Sequence, residues 1–204
     1  MAAQLNRGDD GTRVLVARAL QGTQFPDARA KLIEAIGVAN NAPSRLIHQA
    51  ALSLQPVNDE TEIARLAVIL KSQGGVYMGA PADAVCVALT GTVSETGLAI
   101  LEDLVMNPEI EISPKTSALH CVSPRWGNSA AATALAHTPI SEELLSKLIT
   151  RALGTSNGNR LFAICALHQR SEIVAQEALC KIATQDREPE YREAAAQGII
   201  ARAA

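Results

Sequence analysis

The chain has 204 residues, a formal net charge of −3, 48% hydrophobic residues and 19% charged residues. That balance excludes a disordered chain and gives no overall electrostatic draw toward nucleic acid or an anionic membrane. Aromatic residues are only 2% (Phe25, Tyr77, Trp126, Phe162 and Tyr191), so a β-sandwich or barrel is excluded in favour of helices built on Ala and Leu.

In chain order, the N-terminal stretch MAAQLNRGDDG has no apolar core of a leader peptide and reads as a flexible segment over residues 1–11. No later run reaches the ~18–20 apolar residues of a membrane span, so the expectation is a cytoplasmic chain with no membrane partner. Residues 12–204 read as one domain. Its organising signal is a dipeptide that returns at Ala19-Leu20, Ala51-Leu52, Ala88-Leu89, Ala134-Leu135, Ala166-Leu167 and Gly198-Ile199. Six residues before these stand Arg13, Arg45, Ala82, Asn128, Arg160 and Arg192. A spacing of 32 to 46 residues is the period of a helical repeat array.

Each segment ending in the dipeptide is predicted to be a first helix. Three residues before the pair the side chain is small, at Val16, Val85, Ala131, Ala163 and Ala195, with His48 the exception. Small residues there let neighbouring helices approach closely. Second helices follow, starting near Pro26, Asp59, Ser94, Ser141 and Ser171, with Leu32, Leu66, Leu101, Leu148 and Leu179 as their core leucines. Pro26 suits a first helical turn; Asp59, Glu60 and Glu62 suit the positive end of a helix dipole; Ser141 and Ser171 suit N-caps. About twelve short helices are expected.

Two stretches break the period. SQGGVYMGAPA (72–82) reads as an ordered excursion that displays Tyr77 and Met78. ISPKTSALHCVSPRWGN (112–128) is bounded by Pro114 and Pro124, has room for one extra helix, and carries Arg125 and Trp126. Loops leaving a rigid scaffold often bind partners, and Trp beside Arg makes an interface anchor. Tyr77, Met78, Arg125 and Trp126 are therefore the binding candidates, with packing as the competing role for Trp126.

An Arg-headed first helix ending in Ala-Leu, followed by a Leu-bearing second helix, resembles the HEAT-like or armadillo-type repeat. The best match is DREPEYREAAAQGII, where Asp186 precedes Arg192 by six residues, the spacing of the Asp and Arg that tie adjacent repeats in that family. The resemblance implies an all-α, right-handed α-α superhelix of about five to six helix pairs. It also implies a non-enzymatic protein-binding or scaffolding module whose partner is a protein or peptide. Tetratricopeptide repeats match less well, because their Trp, Tyr and Phe positions are empty here.

Chemistry is sparse. The chain has no His-Glu dipeptide of the HEAT-like iron hydroxylases, no GxxxxGK[ST] phosphate loop and no GxSxG elbow. No catalytic residue, cofactor or metal site is assigned. Cys165 and His168, three apart, share a helical face, but Cys121 and His120 are consecutive and diverge. The four cysteines read as buried free thiols of a reducing compartment. Arg13, Arg45, Arg160 and Arg192 form a column with two readings: junction residues bonded to carbonyls and acids, or a phosphate-binding strip. The strip makes nucleic acid the second reading of function, and a lyase-like enzyme the third.

Overall fold

The structure, a computed structural model, describes residues 5, 8–37, 43–72, 80–106, 127–155 and 159–203. Among them it has eleven α-helices and no strand. They are α1 (Asp10–Ala19), α2 (Pro26–Gly37), α3 (Ser44–Leu54), α4 (Glu60–Ser72), α5 (Ala80–Leu89) and α6 (Glu95–Met106). Then follow α7 (Gly127–Ala136), α8 (Glu142–Leu153), α9 (Arg160–Ala166), α10 (Ile173–Gln185) and α11 (Pro189–Ala203). None of the described helices is long and apolar enough to cross a membrane.

The chain divides into two compact units. The first is Met1–Ile100 with Arg125–Gly127; the second is Leu101–Pro124 with Asn128–Ala204, the division falling inside α6. In the first unit α3 packs on α1, α2 and α5, α2 packs on α4, and α4 on α5. In the second unit α9 packs on α8 and α11, while α10 packs on α8 and α11. Within each unit, first helices thus neighbour first helices, and second helices neighbour second helices.

The leucine register explains the packing. Leu32, Leu66, Leu101, Leu148 and Leu179 are all buried. Each contributes roughly 1.5–3 kcal/mol by leaving water. The small positions Val16, Val85, Ala131, Ala163 and Ala195 are buried as well, and the exception, His48, is exposed. Ala88-Leu89, Ala134-Leu135 and Ala166-Leu167 lie in the core, whereas Ala19 and Ile199 meet solvent. Every residue of the short α9 is buried.

Helix starts follow local chemistry. Asp9 caps α1 by accepting the Thr12 N–H at 2.9 Å, and Asp59 caps α4 by accepting from Thr61 and Glu62 at 3.0 Å. Ser94 Oγ accepts the Gly97 N–H, and Ser141 Oγ accepts the Leu144 N–H, both at 3.2 Å. Ser171 is a correction: α10 begins two residues later, with Glu172 at the cap position and no side-chain capping bond. Two links need glycine, because Gly22 and Gly91 have φ of 72° and 79°. They sit at the same register position, three residues after Ala19 and Ala88.

The links also tie one helix pair to the next. Gly22 N–H donates to the Ser53 carbonyl at 3.1 Å, and Val57 N–H donates to the Ala88 carbonyl at 3.0 Å. In the second unit the tie runs backward: Arg170 donates to the Leu135 and Thr138 carbonyls at 2.9 and 2.7 Å, closing the end of α7. Two sequence boundaries shift. α1 starts at Asp10, ahead of the expected Arg13, and the Leu5 side chain before it is buried. Ala80, Pro81 and Ala82, assigned to the 72–82 excursion, belong to α5.

Candidate binding surface

Three members of the arginine column are engaged at helix junctions. Arg13 Nε donates to the Leu5 carbonyl at 2.7 Å, and Arg160 Nε donates to the Ala152 carbonyl at 2.8 Å, eight residues back in both cases. Arg160 also forms a buried ion pair with Asp186 and lies 4.4 Å from the centre of the Tyr191 ring. Burial pushes the Tyr191 hydroxyl above its ordinary pKa. Arg192 donates to the Asp186 and Arg187 carbonyls at 2.8 and 3.1 Å. Asp186 therefore holds two first helices, pairing Arg160 through its carboxylate and Arg192 through its carbonyl. Arg45 is exposed on α3.

Among the described residues, two grooves lie between second helices. In the first unit a groove of about 460 Å³ lies between α2 and α4, lined by Gln24, Pro26, Asp27, Arg29, Glu62 and Arg65, among others. A two-pronged ion pair crosses it: Arg29 Nε and NH2 each donate to Glu62 at 2.7 Å. The remaining Arg29 bonds go to the Thr23 and Leu54 carbonyls at 3.2 and 3.3 Å. The Glu62 carboxylate holds this guanidinium above its ordinary pKa, so it stays charged.

In the second unit a groove of about 490 Å³ lies between α6 and α8, lined by Glu102, Met106, Lys147, Thr150 and Arg151, among others. Here too an ion pair crosses from helix to helix. Lys147 Nζ lies 3.1 Å from Glu102, and a second carboxylate, Glu143, lies 3.2 Å away on its own helix. These carboxylates raise the Lys147 pKa. Both grooves are thus lined by charges of both signs, and in each a cation and an anion from consecutive second helices meet.

Sequence reasoning missed Phe25, which precedes α2 with 77% of its surface exposed, next to two groove residues. Pro26 marked the helix start but said nothing about where the preceding ring would point. It also missed Asp83 on α5, whose Oδ1 is enclosed without a hydrogen-bond partner and whose pKa burial pushes up to about 7. One turn on, burial and the nearby Asp83 raise the Cys86 thiol, which is inert as a nucleophile in that state.

The binding candidates Tyr77, Met78, Arg125 and Trp126 lie outside the described residues, as does His120. The thiols divide. Cys86 and Cys180 are free, whereas Cys165 is disulfide-bonded, so the expectation of four reduced cysteines fails there. The Cys165–His168 face fails with it: His168 lies beyond α9 and packs its ring against Gly198. Burial lowers the His168 pKa. His48 and His137 are exposed, and no group of three potential ligands stands in metal-binding geometry among the described residues. No family model matches the chain, and no curated protein does.

Proposed function

We propose that the chain is a HEAT-like α-solenoid, a right-handed superhelix of helix pairs, that binds a protein or peptide along its second helices and performs no chemistry of its own. Support for the repeat reading comes from the helix neighbours within each unit, the recurrent buried leucines and the links that tie successive pairs. The observation that carries the functional reading is the mixed charge of the two second-helix grooves. A phosphate backbone calls for a continuous run of cations, whereas alternating signs fit the polar surface of a protein. The arginine column does not offer that run, because Arg13, Arg160 and Arg192 are spent on carbonyls and on Asp186.

The second reading, nucleic acid, rests on Arg45, the exposed member of the column. Filter binding of DNA and RNA at about 50 and 200 mM salt separates the two, since a phosphate-bound complex loses orders of magnitude over that range. The expected result is no salt-sensitive retention, with protein partners captured by the native chain and released by an Asp27→Lys or Arg151→Glu variant. Salt-sensitive retention that disappears in Arg45→Ala overturns the protein-binding reading.

A further inference from the structure

We propose that the α2–α4 groove docks a protein segment that pairs a basic side chain with a large apolar one, and that Phe25 is the anchor for the apolar residue. This rests on the reading of the second helices as the binding face and adds the class of partner.

The first support is the placement of Phe25. Its carbonyl accepts the Arg29 N–H at 3.0 Å, which makes it the N-cap residue of α2. That position favours Ser, Thr, Asp or Asn, whose side chains accept a backbone N–H that Phe leaves unserved. Its own N–H is held by Thr23 Oγ1 at 3.3 Å, so Thr23 shapes the turn and the ring adds nothing to it. Nor does the ring staple the helix, with 77% of the residue in solvent. The other described aromatics, Phe162 and Tyr191, are 1% exposed. A local rule broken with no gain in folding marks a functional position, and the chain neighbours of this exposed aromatic, Gln24 and Pro26, both line the groove.

The second support is charge. Arg29 is fully committed to Glu62 and to two carbonyls, so it offers nothing to an anionic partner, and Glu62 is neutralised in return. What remains on the lining is Asp27 and Asp59 against Arg65. A lysine or arginine on the partner complements this excess; a carboxylate is repelled by it.

Fluorescence anisotropy on the full chain tests the proposal with three labelled peptides: alternating Lys and Leu, alternating Glu and Leu, and alternating Lys and Ser. The Lys–Leu peptide is expected to bind best. Phe25→Ser is expected to weaken it about ten-fold or more, while the melting temperature holds or rises because Ser caps the helix. Asp27→Lys is expected to weaken it and flatten its salt dependence. Unchanged affinity in Phe25→Ser overturns the anchor, and a fall in melting temperature there assigns the ring to folding instead. A preference for Glu–Leu that Phe25→Ser abolishes overturns the basic partner but keeps the second-helix face. Binding that only Arg45→Ala abolishes overturns both.

Discussion

Arg13 and Arg160 occupy the same register position and bond to a carbonyl eight residues back, yet the two units surround them differently. In the first unit Arg13 keeps 16% of its side chain in solvent and its acid partner, Asp10, is open to water. In the second unit Arg160 and Asp186 are both 9% exposed, and Tyr191 covers the guanidinium. The grooves reverse the order. Arg29 and Glu62 in the first unit are 12% and 15% exposed, while Lys147 and Glu102 in the second are 49% and 30%. The costly charge pair therefore lies between second helices in one unit and at the start of a first helix, α9, in the other. Sequence register sets where a charge stands, and burial sets what it is worth.

The contrast breaks most sharply at the arginines. Arg160→Ala leaves Asp186 buried without its cation and is expected to cost about 3–5 kcal/mol, whereas Arg13→Ala loses little more than one hydrogen bond, about 1 kcal/mol. Urea unfolding of both variants measures the gap; equal losses would erase the difference between the units. Gly198 comes next. A Cβ there would stand 2.4 Å from His168 Cδ2, so Gly198→Ala must displace the ring, at about 1–3 kcal/mol. The double variant His168→Ala, Gly198→Ala is expected to show no further loss from the second change.

At the grooves, Glu62→Gln strands a half-buried guanidinium and is expected to cost about 1–3 kcal/mol, and Glu102→Gln, which releases an exposed ammonium, far less. Salt sharpens this pair of results, since only the exposed Lys147–Glu102 contact is screened. Comparable losses would mean that burial does not distinguish the two crossings.

The pH effects have opposite sign in the two units. Asp83 has its pKa raised to about 7 by burial. Its stabilising contribution is complete below the ordinary carboxylate value of 3.8 and is lost as pH rises through about 7. His168 has its pKa lowered by burial, so its contribution is present above the ordinary 6.5 and is lost as pH falls below it. Asp83→Asn is expected to flatten the loss toward neutral pH, and His168→Gln the loss toward acid. Unfolding curves collected between these limits for each variant check the signs; identical slopes in both variants would refute the assignment.

How much of this was legible depends on how local the cause is. The five core leucines were readable because helix periodicity is written in the residues themselves, and so were the caps at Asp59 and Ser141. Ser171 misled because three candidate residues, Ser171 to Ile173, compete for one helix start, and the choice is made by packing of α10. The junction role of Arg160 was one of two readings, and only its contact with Asp186, twenty-six residues on, distinguishes them. Phe25 and Asp83 were not legible, because an exposed ring and a desolvated carboxyl are properties of the surroundings. The same holds for the grooves, whose walls come from helices more than thirty residues apart.

The proposed division of labour, with first helices for cohesion and second helices for recognition, is tested most directly by amide hydrogen exchange with and without a saturating Lys–Leu peptide. Added protection is expected at the start of α2 and α4, around Phe25, Asp27 and Glu62, with α3, α9 and α11 unchanged. Protection centred on α3 at Arg45, with α2 and α4 unaffected, would contradict it.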